Sequence, residues 1–484
     1  MEQDFRKYLL EIRGMKNTTS TNEYIRTMPK VKDWFVNNGI CDSNLNIWDL
    51  NLDITNIQLK LNGELKQKWK NAAKKTKEGD FGFMMATWNR WVEFKEYRTS
   101  DQWKNPNDNK FDLQTGNIDL SMVMEFKLDS ALSSLIFSNL YITRYLSSLL
   151  TKPFIILTGL SGSGKTKLAQ AFAMWISESK EQYSIVPVGA DWTNREPLLG
   201  YPNSLKPEHY VKPDTGVLDI LLRAHENFLA NKKNLAKCKP YFLILDEMNL
   251  SHVERYFADF LSTMESGDEL KLYCGCNRFS ELDSNDKPIL NSIIPEKIAL
   301  PKNLFIIGTV NIDESTYMFS PKVLDRANTI ESRISYDEME NYFKTAKPLE
   351  MDAIVSKGKE QAPYFMQLAS GETVTINHSA HNHAFISFFK TLQVAGAEFG
   401  YRTANEMIKL VTYLQHFGVS ANNAYDIAIM QKLLPKLHGS RSKLNKVLPA
   451  LIELCEGKYI ISLEKLERMK KNSDENGFAS YAEA

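Results

Sequence analysis

The stretch Gly159-Leu160-Ser161-Gly162-Ser163-Gly164-Lys165-Thr166 has the residue types and spacing that wrap a backbone around a phosphate. Glycines let the main-chain N–H groups turn inward, Lys165 reaches the outer phosphates, and the Thr166 hydroxyl is placed to ligate magnesium at a helix N-terminus. An apolar run, Phe154-Ile155-Ile156-Leu157-Thr158, precedes it and a helical pattern, Leu168-Ala169-Gln170-Ala171-Phe172-Ala173, follows. That strand–loop–helix context makes it a Walker A loop. Gly159, Ser161, Gly162, Ser163, Gly164, Lys165 and Thr166 are therefore the expected nucleotide-binding residues.

Hydrolysis needs acid as well, and a second apolar run ends in it: Tyr241-Phe242-Leu243-Ile244-Leu245-Asp246-Glu247. A strand without polar alternation is buried on both faces, and its C-terminal end is where a parallel sheet meets its ligand. Asp246 is expected to hold magnesium together with Thr166, and Glu247 to orient or deprotonate the attacking water. A third apolar run, Leu304 to Val310, ends at Asn311, where a polar side chain would hydrogen-bond the water or the γ-phosphate. Arg326, fifteen residues on within Pro321-Lys322-Val323-Leu324-Asp325-Arg326-Ala327, is the arginine-finger candidate. An always-charged planar guanidinium supplied by one subunit to its neighbour stabilises charge on the transferring phosphoryl group. The competing reading pairs Arg326 with Asp325 or Glu331.

The loop, the block Asp246-Glu247-Met248-Asn249-Leu250-Ser251-His252-Val253-Glu254-Arg255-Tyr256-Phe257, and the block Gly308-Thr309-Val310-Asn311-Ile312-Asp313-Glu314-Ser315-Thr316 together resemble the McrB-type AAA+ motor subunits of modification-dependent restriction systems. The resemblance runs from about Leu146 to Leu454 and takes in Asp191 through Tyr201, Glu398 through Arg402 and Leu434 through Ser440. It implies an α/β fold: an AAA+ P-loop NTPase core of parallel sheet flanked by helices, with a C-terminal helical lid and a small, mainly α N-terminal domain. It also implies Mg2+-dependent GTP or ATP hydrolysis in a ring, commonly a hexamer, that drives or licenses a separate McrC-like nuclease. The chain carries no Asp…Glu-x-Lys grouping defensible as a cleavage centre, so it is expected to cut no DNA alone.

The resemblance leaves the nucleotide open. Motors of this type that prefer GTP read Met-Asn-Thr-Ala-Asp-Arg after the third strand, whereas this chain reads Val310-Asn311-Ile312-Asp313-Glu314-Ser315. Asp313 or Glu314 would accept from the guanine N1–H and N2–H2 donors, but the following arginine is missing. Two other classes share the same motifs, a chaperone-like AAA+ ATPase that remodels protein clients and a nucleotide-dependent assembly switch.

The 484 residues accommodate two to four domains, and 43% hydrophobic with 24% charged residues is ordinary globular usage. A formal net charge of zero gives no global field to attract nucleic acid, so any DNA contact must come from a local patch. Five cysteines form no even disulfide framework; Cys274 and Cys276 read as free thiols on a hairpin, and a reducing, cytoplasmic setting is expected. Met1-Glu2-Gln3-Asp4 is acidic where a signal peptide is basic, and the apolar region 132–157 is broken by Asn139, Arg144, Lys152 and Pro153, so no membrane association is expected.

The expected divisions are a helical N-terminal domain over 1–110, a linker and helix over 111–150, the nucleotide-binding core over 151–345, a helical lid over 346–470 and a flexible tail over 471–484. Arg402, opening a lid helix, sits where a second arginine would meet the γ-phosphate; the competing reading pairs it with Glu398 or Glu406. Glu269 to Leu300 reads as a β-hairpin with its tip at 283–286. Trp192, in a loop after the second strand, is a candidate partner contact. In the N-terminal domain, Lys66, Lys68, Lys70, Lys74, Lys75 and Lys77 flank Trp69 and form the best basic patch, either a solvated helix face or a surface for DNA phosphates.

Overall fold

All six residues of Phe154–Gly159 are buried, as a strand covered on both faces requires. The computed structural model describes residues 119–481, apart from 286, 290, 291, 313–316, 318, 335, 346, 347, 372, 373, 375, 377–381 and 395, together with residues 28, 31–33, 35–37 and 92. The chain divides into two compact units, 1–117 and 118–484. The basic patch Lys66 to Lys77, Trp69, Asp313 and Glu314 all lie outside the described residues.

Five parallel strands build the central sheet: β1 (Phe154–Gly159), β2 (Tyr183–Pro187), β3 (Tyr241–Asp246), β4 (Leu304–Asn311) and β5 (Asn328–Glu331). Their order is β5-β1-β4-β3-β2, so the strand that feeds the phosphate loop and the strand that ends in the acids are separated by β4. Strand alternation sorts the side chains into two layers. Ile155, Leu157, Phe242, Ile244, Phe305, Ile307 and Ile330 face one core. Phe154, Ile156, Leu243, Leu245, Leu304, Ile306 and Val310 face the other.

The first core is covered by α1 (Ser121–Leu132), α2 (Asn139–Thr151) and α3 (Lys165–Ile176), and the second by α4 (Val217–Asn231) and α5 (Ala258–Ser266). The span 111–150, expected as a linker and one helix, thus supplies two helices that belong to the main core. Between β2 and α4 lies a short hairpin, Tyr201–Pro202 with Tyr210–Val211. Between α5 and β4 lies the predicted second hairpin, pairing 270–271 with 297–298 and 278–279 with 293–294. Arg278 ties the two insertions together, its Nη1 donating to the carbonyls of Asn203 at 3.2 Å and His209 at 3.0 Å.

The expected boundary at 345 moves. After α6 (Tyr336–Thr345), the chain runs over the first core, where Ile354, Phe365, Met366 and Leu368 join the same cluster as α3. A Cβ on Gly358 would meet the Trp175 ring at 2.0 Å, so only glycine lets this segment lie against α3. The segment through α7 (Ala362–Ser370) is therefore core rather than lid. The helical region proper is α8 (Asn382–Gln393), α9 (Tyr401–His416), α10 (Ala421–Lys432), α11 (Leu448–Cys455) and α12 (Ile460–Asn476), around a third apolar cluster.

This helical region is fastened to the β5 edge of the sheet by buried charge. Lys465, fully buried, pairs with Glu331 at 3.2 Å, and Arg468 approaches the same carboxylate at 3.5 Å. Gln431 accepts from Arg144 Nε at 3.0 Å and donates to Ser148 Oγ at 2.7 Å, joining α10 to α2. The tail does not fray as expected. Residues 471–476 continue α12, then β7 (Phe478–Ser480) pairs antiparallel with β6 (His438–Ser440), and Tyr481 is buried with its ring under the Lys465 ammonium.

Candidate nucleotide site at the carboxyl edge of the sheet

The phosphate loop leaves β1 through Gly159, which is in register with Asn311 of β4. Gly159 has φ +150°, and a Cβ there would stand 2.3 Å from the Ser332 carbonyl oxygen, so both its backbone and its neighbour demand glycine. Ser332 also clamps the loop from outside, its N donating to Thr158 O at 2.7 Å and its Oγ to Ser163 O at 3.2 Å. Gly164, at φ 83°, is the N-cap of α3, and Lys165 opens that helix.

Lys165 turns onto its own loop. Its Nζ donates to Gly159 O at 2.9 Å, Leu160 O at 2.6 Å and Ser163 Oγ at 3.3 Å, and the side chain is almost fully buried. A buried ammonium must be hydrogen-bonded, and these acceptors satisfy it. Thr166 Oγ1 donates to Asp246 Oδ1 at 2.6 Å, so the two expected magnesium ligands meet, one in the first turn of α3 and the other at the end of β3. These are hard oxygen donors side by side, the donor chemistry that Mg2+ selects.

The acid strand ends in an unusual turn. Glu247 adopts φ 53° and ψ 48°, a left-handed conformation that costs a non-glycine residue about 1 kcal/mol. It is held there by its own N–H, which donates to Thr309 Oγ1 at 3.0 Å, and by Asn311 Nδ2, which donates to Glu247 Oε1 at 3.0 Å. Asn311 is in turn fixed by Asn249, whose Nδ2 donates to the Asn311 carbonyl at 3.1 Å. Lys165, Thr166, Asp246, Glu247 and Asn311 are thus brought together at one edge, as the sequence predicts.

Thr309 is a site residue that motif reading overlooked. Its hydroxyl donates to Asp246 Oδ1 at 2.6 Å while accepting from Glu247 N, so it anchors both acids. The signal was present: two residues before Asn311 on a strand is the same face. Asn249 carried no such periodic signal.

The two arginines are elsewhere. β5 runs parallel to β1 with Asn328 beside Ile155 and Glu331 beside Thr158, so Arg326, ahead of β5, lies toward the opposite edge from the phosphate loop. Four strand residues rise about 13 Å. Arg326 pairs through Nη2 with Glu265 Oε2, at the end of α5, and donates from Nη1 to Lys322 O at 2.6 Å. Neither Asp325 nor Glu331 is its partner. Arg402, expected at the γ-phosphate of its own loop, also goes to Glu265, Nη1 to Oε1 at 3.3 Å. Its alternative partners, Glu398 and Glu406, are not the ones it finds. Burial, and then the Arg402 charge, push the Arg326 guanidinium below its usual pKa. Glu265 gave no sign in the sequence, because it lies 137 residues from Arg402.

Near this cluster Lys432 and Lys436 of the helical region, with Lys152 at the end of α2, grip the arginine-bearing turn. Lys436 pairs with Asp325 at 2.6 Å, Lys432 donates to Ala327 O at 2.9 Å, and Lys152 reaches Glu406 at 2.6 Å and Asp325 O at 3.3 Å. Trp192, the candidate partner contact, is half-buried and packs edge-on against Tyr256, with its carbonyl accepting from Ser251 Oγ at 2.5 Å. Among the described cysteines, Cys274 and Cys276 are exposed free thiols, as expected.

A family described as a domain of unknown function, DUF8727, matches residues 359–478, about a quarter of the chain and mostly the helical region. No curated protein matches. Among solved structures, the chain is similar to a candidate ATPase from Cytophaga hutchinsonii, with 15% identity, TM-score 0.41, and coverage of 65% of this chain and 88% of that one. It is also similar to NtrX from Brucella abortus, with 12% identity, TM-score 0.24, and coverage of 82% of this chain and 77% of that one. These scores fall below shared-fold similarity, so the site stands on its own geometry.

Proposed function

We propose that this chain is an AAA+ nucleoside-triphosphatase that hydrolyses GTP or ATP with Mg2+ at sites completed between copies. The observation that carries this reading is the joint placement of Thr166 on Asp246 and Asn311 on Glu247 at the carboxyl edge of the sheet. Magnesium, held by Thr166 and Asp246, would supply charge neutralisation on the phosphates. Lys165 would exchange its loop carbonyls for phosphate oxygens. Glu247, with Asn311 fixing one carboxylate oxygen, would orient the water and take its proton. Arg326 lies too far from its own loop to serve it, and so would serve a neighbour in a ring, commonly a hexamer.

The biological setting follows from the sequence blocks shared with McrB-type motors: a ring that drives or licenses a McrC-like nuclease in restriction and antiviral defence, reaching DNA through the N-terminal domain or the partner. Purified protein should release phosphate from GTP or ATP with Mg2+ and lose that activity in EDTA. Glu247→Gln should retain nucleotide binding while turnover falls about a hundredfold or more. Turnover that survives this substitution would remove the hydrolytic reading. Stimulation by a McrC-like nuclease, compared with an unfolded protein client, separates the restriction motor from a remodelling ATPase.

A further inference from the structure

Glu265, Arg326 and Arg402 come from three separate elements, the end of α5, the turn before β5 and the first turn of α9, yet they meet at one carboxylate. Lys465 and Arg468 also share one carboxylate, Glu331, but that carboxylate is buried, whereas Glu265 is 49% and Arg402 44% exposed and open to a ligand. Here two guanidiniums share a single carboxylate, leaving one net positive charge and more donors than Glu265 has oxygens to accept. Arg326 Nε is buried with no hydrogen-bond partner among the described residues. The two arginines are also mechanically joined, because Lys436 and Lys432 of the helical region hold Asp325 and the Ala327 carbonyl on either side of Arg326. The pair therefore forms one preorganised unit that matches an anion richer in oxygens than a carboxylate. Its own phosphate loop sits at the other edge of the sheet, beyond the rise of β5.

We propose that Arg402 acts in trans with Arg326: held side by side by Glu265, the two guanidiniums form one site for the terminal phosphate of the triphosphate bound on the neighbouring copy. Glu265 is the positioning residue of that site. This inference rests on the triphosphatase reading above and departs from the expectation that Arg402 serves its own nucleotide. Head-to-tail assembly supplies the required geometry, since the surface carrying the arginines then faces a different surface of the next copy.

Mixing variants decides it. Glu247→Gln keeps a nucleotide-bound but inactive site and intact arginines, while Arg402→Ala keeps an intact loop and acids. Each alone should turn over at least about tenfold more slowly than wild type, and an equal mixture should exceed the sum of the two, rising toward about a quarter of the wild-type rate expected from random placement in a head-to-tail ring. Glu265→Ala should lower kcat about tenfold with KM unchanged, and should be rescued by the same Glu247→Gln subunit, which a merely structural defect would not be. If Arg326→Ala mixtures recover and Arg402→Ala mixtures do not, Arg402 serves its own copy and the proposal fails. If no mixture recovers although wild type turns over, completion between copies fails while hydrolysis stands. Absence of wild-type turnover would sink both readings.

Discussion

The two edges of the sheet treat charge in opposite ways. At the carboxyl edge, the loop, the acids and Asn311 satisfy one another through short contacts. At the amino edge, two arginines compete for one carboxylate and a third donor is left over. The first arrangement is closed, ready to exchange internal hydrogen bonds for a ligand's. The second is open, and on the reading proposed above it would be completed by the nucleotide of a neighbouring copy. On that reading, the carboxyl edge holds the nucleotide and activates the water, and the amino edge would add positive charge to a neighbour's site.

The largest effect that separates the edges should come from Lys165→Ala, which should weaken nucleotide affinity and turnover together by about a thousandfold, read by displacement of a fluorescent analogue and by phosphate release. Arg326→Ala should lose comparable turnover with affinity preserved; equal loss of affinity would erase the distinction. Glu331→Ala tests the fastening of the helical region rather than either edge. It strands the fully buried Lys465, so the urea midpoint should fall by an amount equivalent to about 3–5 kcal/mol. Thr309→Val removes the hydroxyl between the two acids and should slow turnover about tenfold, with little change in the thermal midpoint.

The smallest effect concerns pH. Burial, opposed by the nearby Glu406 carboxylate, lowers the Lys432 ammonium from 10.5 to about 8. Between those values the unfolded chain holds more protons than the folded one, so this group's contribution to stability rises with pH across the window. Relative to Lys432→Met, wild type should therefore gain a few degrees in melting temperature between pH 8 and 9, about what a 1 kcal/mol change produces. A gap that stays constant would mean that Lys432 is not titrating in the fold.

Legibility in the sequence follows the same divide. The carboxyl edge is made by contiguous motifs on strands, where apolar runs give the elements and a period of two gives the facing; Lys165, Asp246, Glu247 and Asn311 could be named from those signals alone. Arg326 could be singled out by its position after the third apolar run, but its partner Glu265 could not, because that contact exists only where α5, the turn and α9 converge. The same reason explains the tail. Asn472 to Gly477 is polar enough to read as solvated, whereas Phe478 to Tyr481 is recruited by a strand and an ammonium far back in the chain. Gly358 likewise shows its purpose only against the Trp175 ring.

β4 is eight residues long, central, and pinned on both sides in parallel register. Thr309 and Asn311 project from one of its faces while Val310 between them enters the apolar layer. Length variation among relatives should therefore collect in the two hairpins, which hang outside the sheet and tolerate added residues. A single deletion inside β4 would invert the pleat, sending two polar groups into oil and a valine toward the phosphates, with no free edge along which the slip could relax.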